Sequence, residues 1–68
     1  MWKFKVELKE DLLDGRTLTY IANKIGITLS NLSLILNGVK TTRKITAYSI
    51  IRGCEKEGKV EDYFIEIK

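Results

Sequence analysis

The chain has 68 residues and contains no histidine, no proline and a single cysteine, Cys54. One cysteine cannot form a disulfide framework, and a chain without histidine lacks a ligand set for structural zinc. The usual general base near neutral pH is also missing, and there is no glycine-rich phosphate loop and no nucleophile elbow. We therefore expect no metal, no cofactor and no enzymatic activity, and we predict that Cys54 is a small buried apolar residue.

Long apolar runs are absent as well. No stretch approaches the roughly 20 residues of a membrane-spanning helix, and the N-terminus lacks the apolar segment of a signal peptide. The composition, with 44% hydrophobic and 31% charged residues, is typical of a folded protein rather than a disordered tail. We expect one cytoplasmic domain over residues 1–68. A chain of this length has a thin core, so it relies on well-packed helices, oligomerisation or both.

Acidic residues are missing from the middle of the chain. Residues 15–54 contain six basic side chains and no Asp or Glu, whereas the two flanks together contain six basic and nine acidic residues. The net charge of +3 therefore combines +6 in the middle with −3 at the ends. This distribution predicts an electropositive surface that binds a polyanion. The alternative is that the basic side chains of the middle are only solvated and bind no ligand.

Both ends of the chain alternate apolar and polar residues, which is the pattern of a half-buried strand. The first run extends from Trp2 to Lys9, and the second places Tyr63, Ile65 and Ile67 on its apolar face. We expect the two runs to pair as a small two-stranded β ribbon, which packs on the helices or continues into a second subunit. The candidate contacts of a homodimer are Trp2, Phe4, Tyr63, Ile65 and Ile67. For Trp2 the sequence leaves a place in the core as an open alternative.

The middle of the chain changes to a helical period, and its glycines and threonines mark the helix ends. A first short helix is expected over Lys9–Leu13. Thr17 is a suitable N-cap for a helix that ends at Gly26, and Thr28 is a suitable N-cap for a helix over Leu29–Leu36. Two short helices joined by a tight turn with glycine at its first position form a helix-turn-helix unit.

The last long helix is predicted over about residues 43–57. Its apolar spacing indicates that Ile45, Tyr48 and Ile51 face the core. Gly53 lies inside this helix and costs about 1 kcal/mol relative to alanine, so a kink or an earlier end at Gly53 stays open.

The stretch over residues 17–38 resembles the helix-turn-helix of the lambda-repressor/Cro (Xre-type) family. Thr17 matches the capping threonine of that family, Ile21-Ala22 its apolar–alanine pair, and Ile25-Gly26 its turn. The resemblance covers about residues 8–64 and extends to small family members from Gram-positive bacteria and phages. It implies a mainly α fold, with a bundle of four to five short helices beside the terminal ribbon. It also implies a DNA-binding transcription regulator, by preference a repressor, that acts as a homodimer on double-stranded DNA.

In such a unit the first helix lies across the DNA backbone and the second places its outer face on base edges in the major groove. The resemblance implies base reading by Leu29, Ser30 and Leu34, and the helical wheel adds Ser33 on the same face and Asn31 on its flank. The sequence departs from the family pattern here. Bidentate side chains discriminate bases by about 1–3 kcal/mol each, whereas leucine only touches a thymine methyl. We expect modest base selectivity with a preference for T-rich sites.

Several of these residues have a structural alternative. Leu29 lies at the edge of the helix face that points toward the core, and a core position is favoured over base contact for it. For Leu34, base contact and a protein-binding patch are equally open. Ser30, Ser33 and Asn31 also fit a solvated face without a ligand.

The basic cluster from Lys40 to Lys44 follows the helix-turn-helix where family members contact phosphates. The candidate phosphate contacts are Arg16, Thr17, Lys24, Thr28, Asn37, Lys40, Thr41, Thr42, Arg43 and Lys44. A basic surface without a ligand is the alternative for the cluster. Two rival functions remain open. The fold can serve as a protein-interaction module, such as an antirepressor or inhibitor, or as an accessory protein that binds nucleic acid without sequence preference.

Overall fold

A computed structural model describes all 68 residues, and it contains five α-helices and a two-stranded sheet made from the two ends of the chain. This confirms the predicted mainly α fold with a terminal ribbon. The elements in chain order are β1 (Trp2–Phe4), a 3-10 turn (Val6–Leu8), α1 (Lys9–Leu13), α2 (Leu18–Ile25), α3 (Leu29–Leu36), α4 (Lys44–Gly53), α5 (Val60–Tyr63) and β2 (Phe64–Glu66).

Helices α2 and α3 form the helix-turn-helix, and both begin as predicted. Thr17 and Thr28 have extended backbones, and their hydroxyl oxygens accept hydrogen bonds from the backbone N–H of Tyr20 and Asn31, each at 3.1 Å. Gly26 ends α2 with φ of 79°, a left-handed conformation that favours glycine. Local capping chemistry therefore explains where these helices begin and where the turn lies.

The core collects buried side chains from every helix and from both strands. Helix α3 contributes three residues that are almost fully buried, and α4 contributes three more on its inner face. None of the helices has the length and apolar character needed to cross a membrane. The buried core consists of Trp2, Phe4, Leu12, Ile21, Ala22, Leu32, Ile35, Leu36, Ala47, Ile50, Ile51, Cys54, Val60 and Phe64.

Helix α4 differs from its prediction in its inner face. Its buried residues include Ala47 and Ile51, whereas Ile45 is 73% exposed and Tyr48 is 49% exposed. The prediction that Ile45 and Tyr48 face the core is therefore wrong, although that for Ile51 is confirmed. The packing explains the difference, because the small Ala47 lets the helix backbone approach the core, and the larger side chains then turn outward.

Helix α4 ends where it lies close to α2. The helix ends at Gly53 rather than near residue 57. Of the two alternatives that the sequence left open at Gly53, a kink or an earlier end, the structure has the earlier end. A Cβ atom at Gly53 would lie 2.5 Å from Cγ2 of Ile25 on α2, so only glycine fits between these helices. Glu55 then takes a left-handed backbone with φ of 60°, and the chain leaves the helical path.

The terminal ribbon is antiparallel, as predicted, but shorter and with a different inner face on its second strand. Trp2 pairs with Glu66, and Phe4 pairs with Phe64. The rings of Phe4 and Phe64 meet edge to face at 5.2 Å, so Phe64 turns inward. Ile65 consequently points outward, which makes the predicted apolar face of this strand wrong. The first strand ends at residue 4 instead of residue 9, because the chain enters the 3-10 turn at residue 6.

The loop between α3 and α4 is fixed to the other edge of β1. The backbones of Trp2 and Thr42 exchange two hydrogen bonds of 2.7 and 2.8 Å. The indole ring of Trp2 is 8% exposed, and Nζ of Lys44 lies 5.4 Å from its centre. The ribbon therefore holds the segment that carries the basic cluster in a defined place beside α3.

Candidate nucleic-acid interface

The outer face of α3 is the exposed surface of the helix-turn-helix. Leu29 is 47% exposed and Leu34 is 43% exposed, and Ser30 lies beside them on the surface. The favoured core position for Leu29 is therefore wrong. Because α3 buries Leu32, Ile35 and Leu36, its first residue lies at the rim of the core.

The other two predicted base readers are half-buried and already hydrogen-bonded. Nζ of Lys40 donates to Oδ1 of Asn31 at 2.7 Å, and Nδ2 of Asn37 donates to Oγ of Ser33 at 3.3 Å. These contacts connect α3 to the segment that follows it. The exposed side chains of α3 are therefore Leu29, Ser30 and Leu34. Asn31 and Ser33 are less exposed, and each keeps its donor group without a partner in the chain.

A shallow groove of about 310 Å³ lies between α3 and the first turn of α4. We name it the α3–α4 groove. Lys40 and Arg43 line it, and neither forms an ion pair with an acidic side chain. Its other lining residues are Met1, Ile27, Asn31, Ile35, Thr41, Thr42 and Thr46.

The first turn of α4 adds hydrogen-bond donors to this groove. Arg43 occupies the N-cap position, and no side chain caps the helix. The N–H groups of residues 44–46 therefore have no acceptor within the helix, and they carry the positive end of its dipole. Free backbone donors beside lysine and arginine form the kind of site that binds a phosphate group.

Thr17 and Thr28 lie at comparable helix ends. Each hydroxyl oxygen accepts one backbone N–H from its own helix, so its proton remains available to an external acceptor. The first two N–H groups of α2 and of α3 are likewise unpaired within the helix. The structure thus provides donor groups at the starts of three helices, α2, α3 and α4.

Two of the predicted phosphate contacts have other roles. Arg16 donates to Glu55 at 2.8 Å and to the carbonyl oxygen of Leu13 at 3.3 Å, so its charge is neutralised where α1 meets the end of α4. This hydrogen bond, followed by the charge of Lys24, lowers the pKa of the Glu55 carboxyl below its ordinary value. Thr42 is 7% exposed, and its backbone pairs with β1, so it lines the α3–α4 groove but offers little surface to a ligand.

The remaining predicted phosphate contacts are divided among three places. Thr41 lines the α3–α4 groove and Lys44 opens α4 next to it, whereas Asn37 accepts a hydrogen bond of 2.8 Å from Lys9. Lys24 lies in a different groove, between α2 and α4, where its ammonium stands 5.6 Å from the ring centre of Tyr20. The structure therefore does not bring Lys24 together with the Lys40–Lys44 cluster.

Thr46 is a residue of the groove that the sequence reasoning missed. It lines the groove with Arg43, three residues earlier, on one face of the first turn of α4. The spacing alone was the available signal.

The predicted dimer contacts also separate into two groups. Trp2 and Phe4 are buried in the core of their own chain, so their side chains are not available to a partner, and Trp2 takes the alternative place in the core. Tyr63 is half-buried, whereas Ile65 is 51% and Ile67 is 43% exposed. Of the predicted dimer contacts, only these two isoleucines are exposed.

The chain offers no clear centre for metal or thiol chemistry. No three acidic or cysteine side chains lie close enough together to hold a metal ion. Cys54 is buried in the core, as predicted, and burial raises the pKa of its thiol, which keeps it protonated. Comparison of the chain with protein-family models, with curated proteins and with solved structures gave no match in any of the three.

Proposed function

We propose that this chain is a DNA-binding regulator of transcription that recognises a specific duplex site as a homodimer. The observation that supports the proposal is the joining of the exposed face of α3 to the acid-free α3–α4 groove. In this arrangement α3 enters the major groove, and the groove beside it meets the sugar–phosphate backbone.

Affinity comes from the phosphate contacts. Lys40, Arg43 and Lys44 supply charge, while the uncapped first turn of α4 supplies backbone N–H groups at a fixed position. Thr17 and Thr28 add hydroxyl donors at the starts of α2 and α3. Each phosphate that a basic side chain neutralises releases counterions and adds almost one unit to the slope of log K against log salt.

Selectivity comes from a small set of side chains. Leu29 and Leu34 contact thymine methyl groups, and Ser30 hydrogen-bonds to a base edge. Because Asn31 and Ser33 already have partners within the chain, they contribute less to base reading. The preferred sites are T-rich, and discrimination at each position is modest.

The homodimer places two α3 helices in successive major grooves, about 34 Å apart. Its contact is formed by Ile65 on the outer surface of β2 and by Ile67 just after this strand, both of which are exposed. Occupation of the site excludes other proteins from the same grooves, so the regulator acts as a repressor. The resemblance to the Xre-type family supports a bacterial or phage origin, and we place the chain in the cytoplasm, where such DNA lies.

The test is selection of binding sites from a random duplex library at about 100 mM salt, where phosphate attraction alone is already weakened. We expect an enriched motif with two T-rich half-sites about ten base pairs apart. Binding without an enriched motif would contradict sequence-specific recognition and favour an accessory nucleic-acid-binding protein.

A second candidate is a protein-interaction module, such as an antirepressor or inhibitor, built on the same fold. The specific observation in its favour is that two of the three exposed side chains of α3, Leu29 and Leu34, are apolar. In that case the chain would fail to retain any duplex at low salt. Leu34→Ala would then weaken a protein complex instead.

A further inference from the structure

A second cationic groove lies between α2 and α4. We name it the α2–α4 groove, and its volume is about 330 Å³. It shares no lining residue with the α3–α4 groove. Its lining residues are Lys24, Ile25, Tyr48, Ser49, Arg52 and Gly53.

The floor of this groove is apolar and closely packed. Gly53 allows α4 to approach Ile25, so the two helices meet at the base and their outer side chains form the walls. Ile25 is only half-buried there. An apolar side chain of a ligand can therefore rest on the floor without opening the core.

The walls carry cations without acidic partners. Lys24 stands on the α2 wall and Arg52 on the α4 wall, and all three ion pairs of the chain involve other basic residues, Arg16 and Lys56. The nearby carboxylate of Glu55 is already held by Arg16 at 2.8 Å. Two unpaired cations that converge from different helices favour an anionic ligand.

Two tyrosines beside these cations favour a carboxylate over a nucleic acid as the ligand. Lys24 lies over the ring of Tyr20 at 5.6 Å, and Arg52 lies over the ring of Tyr48 at 5.9 Å. Because each cation lies over one face of its ring, stacking of a nucleic-acid base on that face would have to displace it. A carboxylate, in contrast, reaches the same cations from outside and leaves the rings in place.

We propose that the α2–α4 groove binds an acidic segment of a partner protein. Carboxylates of the segment pair with Lys24 and Arg52, and an apolar side chain between them contacts Ile25 and Tyr48. Ile45, 73% exposed on the outer surface of α4, extends the apolar contact beyond the groove. Since the α3–α4 groove is separate, the partner and a DNA duplex bind at the same time.

The experiment uses the full chain, labelled with ¹⁵N, and a short peptide of alternating glutamate and leucine residues. Titration is expected to shift the backbone resonances of Lys24, Tyr48 and Arg52 and to leave those of the α3–α4 groove unchanged. The same peptide with glutamine in place of glutamate is expected to produce no shifts. Shifts confined to the α3–α4 groove, or equal shifts with both peptides, would overturn the proposal.

Two matched arginine variants separate this site from the DNA interface. Arg52→Gln is expected to weaken peptide binding about two- to fivefold, the range for an exposed ion pair, and to leave duplex binding unchanged. Arg43→Gln is expected to do the opposite, and circular dichroism confirms that both variants fold. The proposal fails if Arg52→Gln leaves peptide affinity unaltered. It also fails if a single-stranded oligonucleotide shifts the groove residues more strongly than the peptide does.

Discussion

The two arginines at the ends of α4 have the same charge but different surroundings. Arg43 stands at the uncapped N-terminus beside Lys40 and free backbone N–H groups. Arg52 stands near the C-terminus, where the helix carbonyls carry partial negative charge and Tyr48 lies beneath the guanidinium. The first setting concentrates positive potential for a phosphate. In the second setting the helix carbonyls oppose an anion, so the proposed carboxylate contact depends on the ion pair with Arg52 and on the apolar side chain beside it. We therefore expect the helix end and the neighbouring residues, and not only the count of basic residues, to determine which anion each arginine binds.

The largest expected effect concerns the proposed binding of phosphate by the α3–α4 groove. The double variant Lys40→Gln/Arg43→Gln is expected to lower duplex affinity about a hundredfold and to reduce the salt slope by about two. Fluorescence anisotropy over a range of salt concentrations measures both quantities. The matched control Lys59→Gln/Lys68→Gln removes the same charge outside the groove. An equal loss in the control would show that net charge, not the α3–α4 groove, holds the duplex.

The next effect concerns the contact that brings α2 and α4 together. Gly53→Ala places a Cβ about 2.5 Å from Ile25, and such overpacking costs about 1–3 kcal/mol. The gain in helix propensity is about 1 kcal/mol, so we expect a net loss in the free energy of unfolding, measured by urea denaturation. Asn23→Ala, at an exposed position of α2, is the control and is expected to be neutral or stabilising. A more stable Gly53→Ala variant would contradict the close approach.

Sequence reasoning succeeded where the determinants are local. The limits of α2 and α3 follow from Thr17, Thr28 and Gly26, because a cap or a left-handed turn needs only adjacent residues. The inner face of α4 depends instead on which helix it meets, and the 3.6-residue period allowed either Ile45 or Ala47 to face inward. Size favoured the isoleucine, whereas the close approach of the backbones required the alanine.

In the candidate site too, features set by adjacent residues could be predicted, whereas contacts between distant residues could not. The exposure of Ser30 and Leu34 and the position of the basic cluster after α3 follow from a short stretch of sequence, whereas the exposure of Leu29 does not. The pairing of Arg16 with Glu55 joins residues 39 positions apart, so no local pattern indicated that this cation is neutralised. The placement of Lys24 opposite Arg52 likewise depends on how α2 and α4 pack.

Removal of an N-cap of the helix-turn-helix is expected to have a smaller effect, both on the free energy of unfolding and on duplex affinity. Thr28→Ala is expected to lower the free energy of unfolding by about 1 kcal/mol, because the N–H of Asn31 loses its acceptor. It also removes a hydroxyl that we propose contacts DNA phosphate, so duplex affinity is expected to fall at a temperature where the variant is fully folded. Thr19→Ala, on the exposed surface of α2, is the control for both measurements. If Thr28→Ala alters stability alone, the hydroxyl does not contact phosphate.

Leu34 tests whether the apolar face of α3 reads bases. Leu34→Ala is expected to change stability by less than about 0.5 kcal/mol, since the side chain is on the surface. Its expected effect is a weaker preference for thymine at one position of each half-site, measured by repeating the site selection. Unchanged site preference would remove Leu34 from the base-reading set and direct attention to a protein partner of α3.

The smallest effect concerns Arg16, the cation that already has a partner. Its hydrogen bond, together with the charge of Lys24, holds the pKa of Glu55 below the ordinary value of 4.5. A carboxylate with a lowered pKa stabilises the fold above its unfolded-state pKa, and this contribution is lost as the pH falls through the folded-state value. Arg16→Gln is therefore expected to move the Glu55 titration, followed by ¹³C NMR, back toward 4.5 and to flatten the acid limb of the stability profile. Lys68→Gln is the control and should leave the titration in place. The salt slope of duplex binding should not change in Arg16→Gln; a drop of about one unit would instead return Arg16 to the phosphate contacts.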